Sequence, residues 1–235
     1  YGVCVGLHQY KDPDKLDYII GVLKSARPTA YNIFLILDRI EKRLRDIKNF
    51  DVLVSLAEEE AKKVHEEDRE LCDSIAENGL KVIPDGANVI TYCNTGMLAT
   101  GGIGTALGVI YKAFWGGKLE RVYVCETRPL LQGARLTAYE LSKNGVPVTL
   151  ISDNMVSYLL SRRRVDVAIV GADRIVRSGD VANKIGTYNL AVVCKHFGIP
   201  FYVAAPYTTI DLSLEKGGDI PIEERSDKEL KFIYG

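Results

Sequence analysis

The feature that most constrains this chain is a change of rhythm near residue 84. After Pro84-Asp85-Gly86, short apolar runs recur: Val89-Ile90-Thr91-Tyr92, Val122-Tyr123-Val124, Val148-Thr149-Leu150-Ile151, Val167-Ala168-Ile169-Val170 and Phe201-Tyr202-Val203-Ala204. Each has the length of a buried strand and is rich in β-branched or aromatic residues. Helix-length segments lie between several of them, at about 104–115, 134–143, 155–163 and 188–196. Strand and helix alternating at this spacing predict βαβ units and a parallel sheet covered on both faces.

Before the turn the period is helical. Leu16, Ile19, Ile20 and Leu23 fall at i, i+3, i+4 and i+7, which predicts a helix over about 15–24. The chain also starts, at Tyr1, in what reads as the middle of a helix. Ser25-Ala26-Arg27-Pro28-Thr29 interrupts the pattern, and Pro28 disfavours helix at Arg27. Thr29 is a candidate cap for a helix reaching about Arg45, with Ile33, Leu37, Ile40 and Leu44 on one face. A third helix is expected over about 51–77, with Glu58-Glu59-Glu60-Ala61-Lys62-Lys63 as a solvated face. The fold class is therefore α/β. A helical N-terminal domain, residues 1–84, precedes a Rossmann-like parallel-sheet domain, residues 85–235.

Charge and cysteine usage narrow the function. Thirty Lys and Arg against 31 Asp and Glu leave a net charge of −1, spread without a basic arm. That gives no reason to expect nucleic acid or a membrane surface as partner. Five scattered cysteines with no CxxC pair argue against a structural zinc site or a disulfide framework and suit a reducing cytoplasm. No apolar run approaches the roughly 18 to 20 residues of a membrane span. His8, His65 and His196 support neither a metal site nor a Ser–His–Asp triad.

Ligands of an open parallel sheet bind beyond the carboxyl ends of its strands, so those ends are where chemistry is sought. Cys93-Asn94-Thr95-Gly96 follows the first run and leads through Gly101, Gly102 and Gly104 to a helix start suited to an anionic group such as phosphate. Cys93 is either a buried small hydrophobe or a functional thiol. Gly102, Gly104 and Gly108 place the third glycine one position late for a dinucleotide fingerprint, so no cofactor is expected. Glu126-Thr127-Arg128-Pro129 and Gln132-Gly133-Ala134-Arg135 follow the second run. Glu126 and Arg128 either brace that loop or serve the site, and Gln132 points to the same mouth. Asp153, after the third run, reads as a helix cap. After the fourth comes Gly171-Ala172-Asp173-Arg174. Shielded there, Asp173 suits acid or base work, against the plainer reading of an Asp173–Arg174 salt bridge or a helix cap. Asn183 and Lys184 then present an amide and an ammonium, the latter suited to a phosphate.

Taken together these stretches resemble the methylthioribose-1-phosphate isomerases, relatives of the regulatory subunits of translation initiation factor 2B. The resemblance is carried by Ser25-Ala26-Arg27-Pro28-Thr29-Ala30-Tyr31-Asn32, Cys93-Asn94-Thr95-Gly96, Gly104-Thr105-Ala106-Leu107-Gly108-Val109-Ile110 and Glu126-Thr127-Arg128-Pro129. It continues through Gln132-Gly133-Ala134-Arg135-Leu136-Thr137-Ala138, Gly171-Ala172-Asp173-Arg174-Ile175, Ala182-Asn183-Lys184-Ile185-Gly186-Thr187-Tyr188 and Ile222-Glu223-Glu224-Arg225. It implies an aldose–ketose isomerase of methionine salvage, with Cys93 and Asp173 as the catalytic pair. Arg27, Gln132, Asn183 and Lys184 would contact a small phosphosugar. The family likeness further implies no metal or cofactor, a cytoplasmic homodimer, and a site in the cleft between two domains, with Arg27 from the first and Cys93, Asp173 and Lys184 from the second.

The family's Arg-Gly-Ala-Pro-Ala motif, upstream of Tyr1, and its segment beyond the Glu-Glu-Arg stretch are not in this sequence, so a longer protein is expected. Ribose-1,5-bisphosphate isomerases share Cys93-Asn94 and Asn183-Lys184-Ile185-Gly186-Thr187 but usually lack the Gln-Gly-Ala-Arg-Leu-Thr-Ala, Gly-Ala-Asp-Arg and Arg-Pro-Thr-Ala forms found here. A non-catalytic regulatory subunit would not need both Cys93 and Asp173. A nucleotide-binding dehydrogenase would carry a bound dinucleotide.

Overall fold

The computed structural model describes residues 1–232; the last three positions of the expected sheet domain, 233–235, lie outside them. By compactness the chain forms two units. The first contains Tyr1–Asp68, Asp173–Ala182 and Tyr207–Glu223; the second contains Arg69–Ala172, Asn183–Pro206 and the chain from Glu224 onward.

The first unit is built on helices α1 (Gly2–Tyr10), α2 (Leu16–Ser25), α3 (Tyr31–Leu44) and the part of α4 (Phe50–Gly79) up to Asp68. Their apolar stripes meet in one core, with Leu7, Leu16, Ile20, Ile40, Leu44 and Leu53 at its centre. Two local expectations fail here. Thr29 does not cap α3: Ala30 holds the cap position, and the Thr29 hydroxyl donates to the Pro221 carbonyl at 3.0 Å and accepts from the Glu223 N–H at 3.1 Å. A long-range backbone partner has outcompeted the local cap. The Glu58–Lys63 run is not wholly solvated either. Glu60 is only 1% exposed and binds Arg39 and Arg43, each at 2.6 Å. It sits three residues after Ala57 and one before Ala61, both on the buried stripe of α4.

Three short strands complete this unit. Val181–Ala182 pairs antiparallel with Arg174–Val176, which pairs parallel with Ile210–Asp211. Buried Arg174 bonds to Asp211 at 3.0 Å and donates to the carbonyls of Thr29 and Pro28 at 3.0 and 3.2 Å. The Asp173–Arg174 salt bridge weighed from sequence is replaced by these partners. Nothing in the sequence reading anticipated this small sheet.

The second unit is the parallel sheet. All five apolar runs are strands: β1 (Ala87–Thr91), β2 (Leu119–Cys125), β3 (Val148–Ile151), β4 (Val167–Val170) and β5 (Phe201–Val203), in the order β3-β2-β1-β4-β5. Every pairing is parallel, with Val89 beside Val122 and Val167 in the central three strands. Adjacent residues enter opposite cores. Val89 and Ile169 pack with Leu107, Ile110 and Leu141, whereas Ile90 and Val170 pack with Leu160 and Leu190. That is the strand's period of two applied to a sheet buried on both sides. Helices α5 (Ala106–Trp115), α6 (Ala138–Lys143), α7 (Val156–Ser161) and α8 (Thr187–Phe197) supply the covering layers. A single π turn, Gly133–Thr137, widens the chain just ahead of α6, where a plain helix was expected. A last short helix, α9, spans Lys228–Lys231.

The strand order reverses between β1 and β4, so the crevice of this sheet opens at their carboxyl ends. The two loops touch there: a Cβ on Gly171, directly after β4, would run into the Thr95 side chain after β1.

Candidate active site

Cys93 lies two residues beyond β1, at that reversal point. Its backbone is left-handed, with φ +66, a conformation that costs a non-glycine residue about 1–2 kcal/mol. Two hydroxyls hold the peptide there. The Cys93 N–H donates to Thr127 Oγ1 at 2.9 Å, and the Cys93 carbonyl accepts from Thr137 Oγ1 at 2.5 Å. Both threonines are fully buried. Each hydroxyl is used in both senses. Thr127 donates to the Cys125 carbonyl at 3.0 Å, and Thr137 accepts from Asn94 Nδ2 at 3.1 Å.

A carboxylate stands behind each threonine. Asp153 accepts from the N–H groups of Thr127 and Arg128 at 2.8 and 2.7 Å. It is therefore no helix cap: Ser152 holds the cap position, and two successive amides at the end of β2 claim the carboxylate. Burial first, and then the Asp153 charge and its hydrogen bond, push the Tyr92 phenol far above its usual range. The loop brace read as Glu126–Arg128 is supplied by Asp153, while Arg128 Nη2 donates to the Leu230 carbonyl at 3.0 Å. On the other side Glu140, 4% exposed, accepts from Asn94 Nδ2 and the Met97 N–H, both at 2.7 Å, and from the Leu98 N–H at 3.4 Å.

Sequence reasoning passed over Thr127, Thr137 and Glu140 as functional residues. One signal was available for the last two: Thr137, Glu140 and Leu141 fall at i, i+3 and i+4, which puts a hydroxyl and a carboxylate on an apolar helix stripe.

The other singled-out residues of this unit gather on neighbouring loops. Gln132 immediately precedes the π turn that carries Thr137, and its Oε1 is buried with no hydrogen-bond partner among the described residues. Asn183 Nδ2 donates to Thr187 Oγ1 at 2.9 Å at the start of α8, and Lys184 beside it is partly buried. That turn abuts the residue before Cys93. Gly186, at φ +101, lies so close to the Tyr92 hydroxyl that no Cβ fits between them.

Arg27 and Asp173 meet in the first unit, with Arg27 Nη2 3.0 Å from Asp173 Oδ1. The arginine side chain is 58% exposed and the aspartate 24%. Asp173 groups with the helical unit rather than with the sheet unit to which it was assigned from sequence. Its N–H donates to the Ala182 carbonyl at 2.9 Å and its own carbonyl accepts from the Tyr31 N–H at 3.0 Å. Among the described residues no three His, Cys, Asp or Glu side chains are placed to hold a metal ion, and no helix is long and apolar enough to cross a membrane.

Comparison with known proteins places this arrangement in context. Residues 13–235 match the Initiation factor 2 subunit family. A methylthioribose-1-phosphate isomerase from Caldicellulosiruptor saccharolyticus is 51% identical over 241 aligned residues, covering 100% of this chain and 70% of that protein. The crystal structure of 5-methylthioribose 1-phosphate isomerase from Pyrococcus horikoshii OT3 matches at a TM-score of 0.84 and 44% identity, covering 94% of this chain and 63% of that one. Translation initiation factor eIF-2B, subunit delta, from A. fulgidus matches at a TM-score of 0.77 and 47% identity, covering 94% and 66%. The chain thus spans about two thirds of the length of these two solved relatives.

Proposed function

The chain belongs to the Initiation factor 2 subunit family, and we propose that it works as an aldose–ketose isomerase converting 5-methylthioribose 1-phosphate to 5-methylthioribulose 1-phosphate. The observation that carries this reading is Cys93, fixed in a left-handed backbone at the reversal point of the sheet by buried hydroxyls. A cysteine serving only as core filler needs no such conformation.

The phosphate on the anomeric oxygen prevents the sugar from opening as a free hemiacetal does. An acid must protonate the ring oxygen as the bond to C1 breaks; a hydrogen must then pass from C2 to C1 while the C2 hydroxyl gives up its proton to become the ketone carbonyl, which restores the proton the acid supplied. Asp173 is assigned as the acid and Cys93 as the group at the reacting carbons. Arg27 and Lys184 are assigned to the phosphate, with backbone amides adding dipoles. Arg27 and Asp173 are already paired with each other in the structure, at 3.0 Å. Gln132 and Asn183 are assigned to sugar hydroxyls; the buried, unpartnered Oε1 of Gln132 is an acceptor suited to one. No cofactor or metal enters the scheme. On the same reading the protein acts in the cytoplasm as a homodimer.

Incubation of purified protein with 5-methylthioribose 1-phosphate tests the proposal. Conversion is expected, with kcat falling about 1,000-fold or more in Cys93→Ala and Asp173→Asn. Full activity in both variants overturns the residue assignment, and no conversion by the unaltered protein overturns the activity. In that last case the likeness to the A. fulgidus subunit favours a non-catalytic regulatory role.

A further inference from the structure

Two threonine hydroxyls grip the two ends of the Cys93 peptide unit, and this grip has no use in packing alone. An apolar core tolerates a cysteine with an ordinary strand or helix backbone; here the chain departs from both, at φ +66. Thr127 comes from the loop after β2 and Thr137 from the π turn before α6. Neither is a neighbour of Cys93 in sequence, yet each aims its hydroxyl at Cys93 and is tied down by a carboxylate relation of its own. Asp153 fixes the Thr127 backbone. Glu140 fixes Asn94, whose amide also donates to Thr137.

We propose that Thr127 and Thr137 are positioning residues for Cys93, forming a two-hydroxyl clamp that holds its peptide in the left-handed conformation and so sets where its thiol sits over the substrate. The clamp rests on the isomerase reading above for its consequence in turnover, but not for its effect on the thiol. Removing either hydroxyl leaves the Cys93 N–H or carbonyl without its partner and lets the peptide relax toward the common backbone regions. A displacement of about 1 Å at a reacting group is enough to cost on the order of 100-fold in rate.

The test uses the whole chain carrying Thr127→Val, Thr137→Val, Thr127→Ser or Thr137→Ser. Three quantities are read: kcat and KM for 5-methylthioribose 1-phosphate, the rate of iodoacetamide alkylation of Cys93 between about pH 6 and pH 9 followed by peptide mass, and the thermal midpoint. Cys4, Cys72, Cys125 and Cys194 are buried, so alkylation of the folded protein reports Cys93. The valine variants are expected to lose about 10- to 100-fold in kcat with KM changed by less than about threefold. Their alkylation profile is expected to change by at least about threefold in rate or to move along the pH axis. The serine variants, which keep the hydroxyl, are expected within about threefold of the unaltered protein in both readouts.

Valine variants indistinguishable from the serine variants overturn the clamp, as does a loss of kcat that follows only the fraction unfolded at the assay temperature. If the unaltered protein turns over no substrate, the proposed activity fails, and the alkylation profiles still decide the clamp by the same criterion. Should Thr127→Val fail to melt cooperatively, Asp153→Asn takes its place, and should Thr137→Val fail, Glu140→Gln does: an altered Cys93 alkylation profile supports that half of the clamp, and an unchanged one overturns it.

Discussion

The seams between the helices of the first unit and the surroundings of Cys93 in the second spend their polar groups differently. Between helices α2, α3 and α4 the links run between the ends of long side chains: Glu60 to Arg39 and Arg43, Glu67 to Arg39, Lys24 to Asp38 and Glu41. Around Cys93 in the sheet unit most links end on backbone. Asp153, Glu140, Thr127 and Thr137 together engage the N–H groups of residues 93, 97, 98, 127 and 128 and the carbonyls of residues 93 and 125. A bridge between two flexible side chains holds helices together but leaves each atom some freedom. A short side chain bonded to a peptide fixes the peptide itself. Catalytic groups need the second kind of restraint, because their rate depends on tenths of an ångström.

The largest expected effect separates the two styles in stability. Asp153→Ala strips two adjacent N–H groups and a buried phenol of their acceptor and is expected to cost about 3 kcal/mol. Glu60→Ala removes a more deeply buried carboxylate, yet Arg39 keeps Glu67 and Arg43 keeps Glu59, so about 1 kcal/mol is expected. Urea unfolding of the two variants measures both, and a Glu60→Ala cost equal to that of Asp153→Ala breaks the comparison.

A smaller effect separates paired carboxylates from buried thiols by pH. Glu41 and Glu67 are held below the usual carboxylate value of 4.5, chiefly by hydrogen bonds from Lys24 and Arg39 respectively. A lowered acid contributes stability that is present above its unfolded pKa and lost as pH falls through the folded one. In the sheet unit burial pushes Cys194 from 9.0 up to about 11 and Cys125 higher still. A raised thiol contributes stability that is present below its unfolded value and lost as pH rises through the folded one. Urea midpoints across pH are expected to fall less steeply on the acid side in Glu41→Gln and less steeply between 9.0 and about 11 in Cys194→Ala. Flattening on the opposite side in either variant contradicts the division.

The smallest effect is the control. Arg45 is an exposed i,i+4 partner of Glu41, so Arg45→Ala is expected within about 0.5 kcal/mol of the unaltered protein by the same urea measurement.

Much of the fold could be read from local pattern. The runs at 89–92, 122–124, 148–151, 167–170 and 201–204 are the five strands, and the stripe Leu16, Ile19, Ile20 and Leu23 lies on α2. Those signals are periodic and short-range, so composition and spacing suffice. The candidate site was visible only as residues standing after strands. Arg27 and Asp173 form a pair although they are 146 positions apart, and no local rule joins them. Arg174, weighed as the ion-pair partner of Asp173, bonds to Asp211 because pairing of two short strands brings these two buried side chains together.

The sequence by itself determined a parallel sheet buried on both faces, a helical region before it, and a cysteine at the end of the first strand. Apolar periodicity and strand-end punctuation encode those directly. The tertiary structure alone decided that Thr127 and Thr137 hold that cysteine in a left-handed backbone, that Asp153 serves amides rather than a helix, and that Glu60 is buried. Hydrogen bonds across tens of residues obey geometry and solvent exclusion, and only the folded chain brings their donors and acceptors within reach.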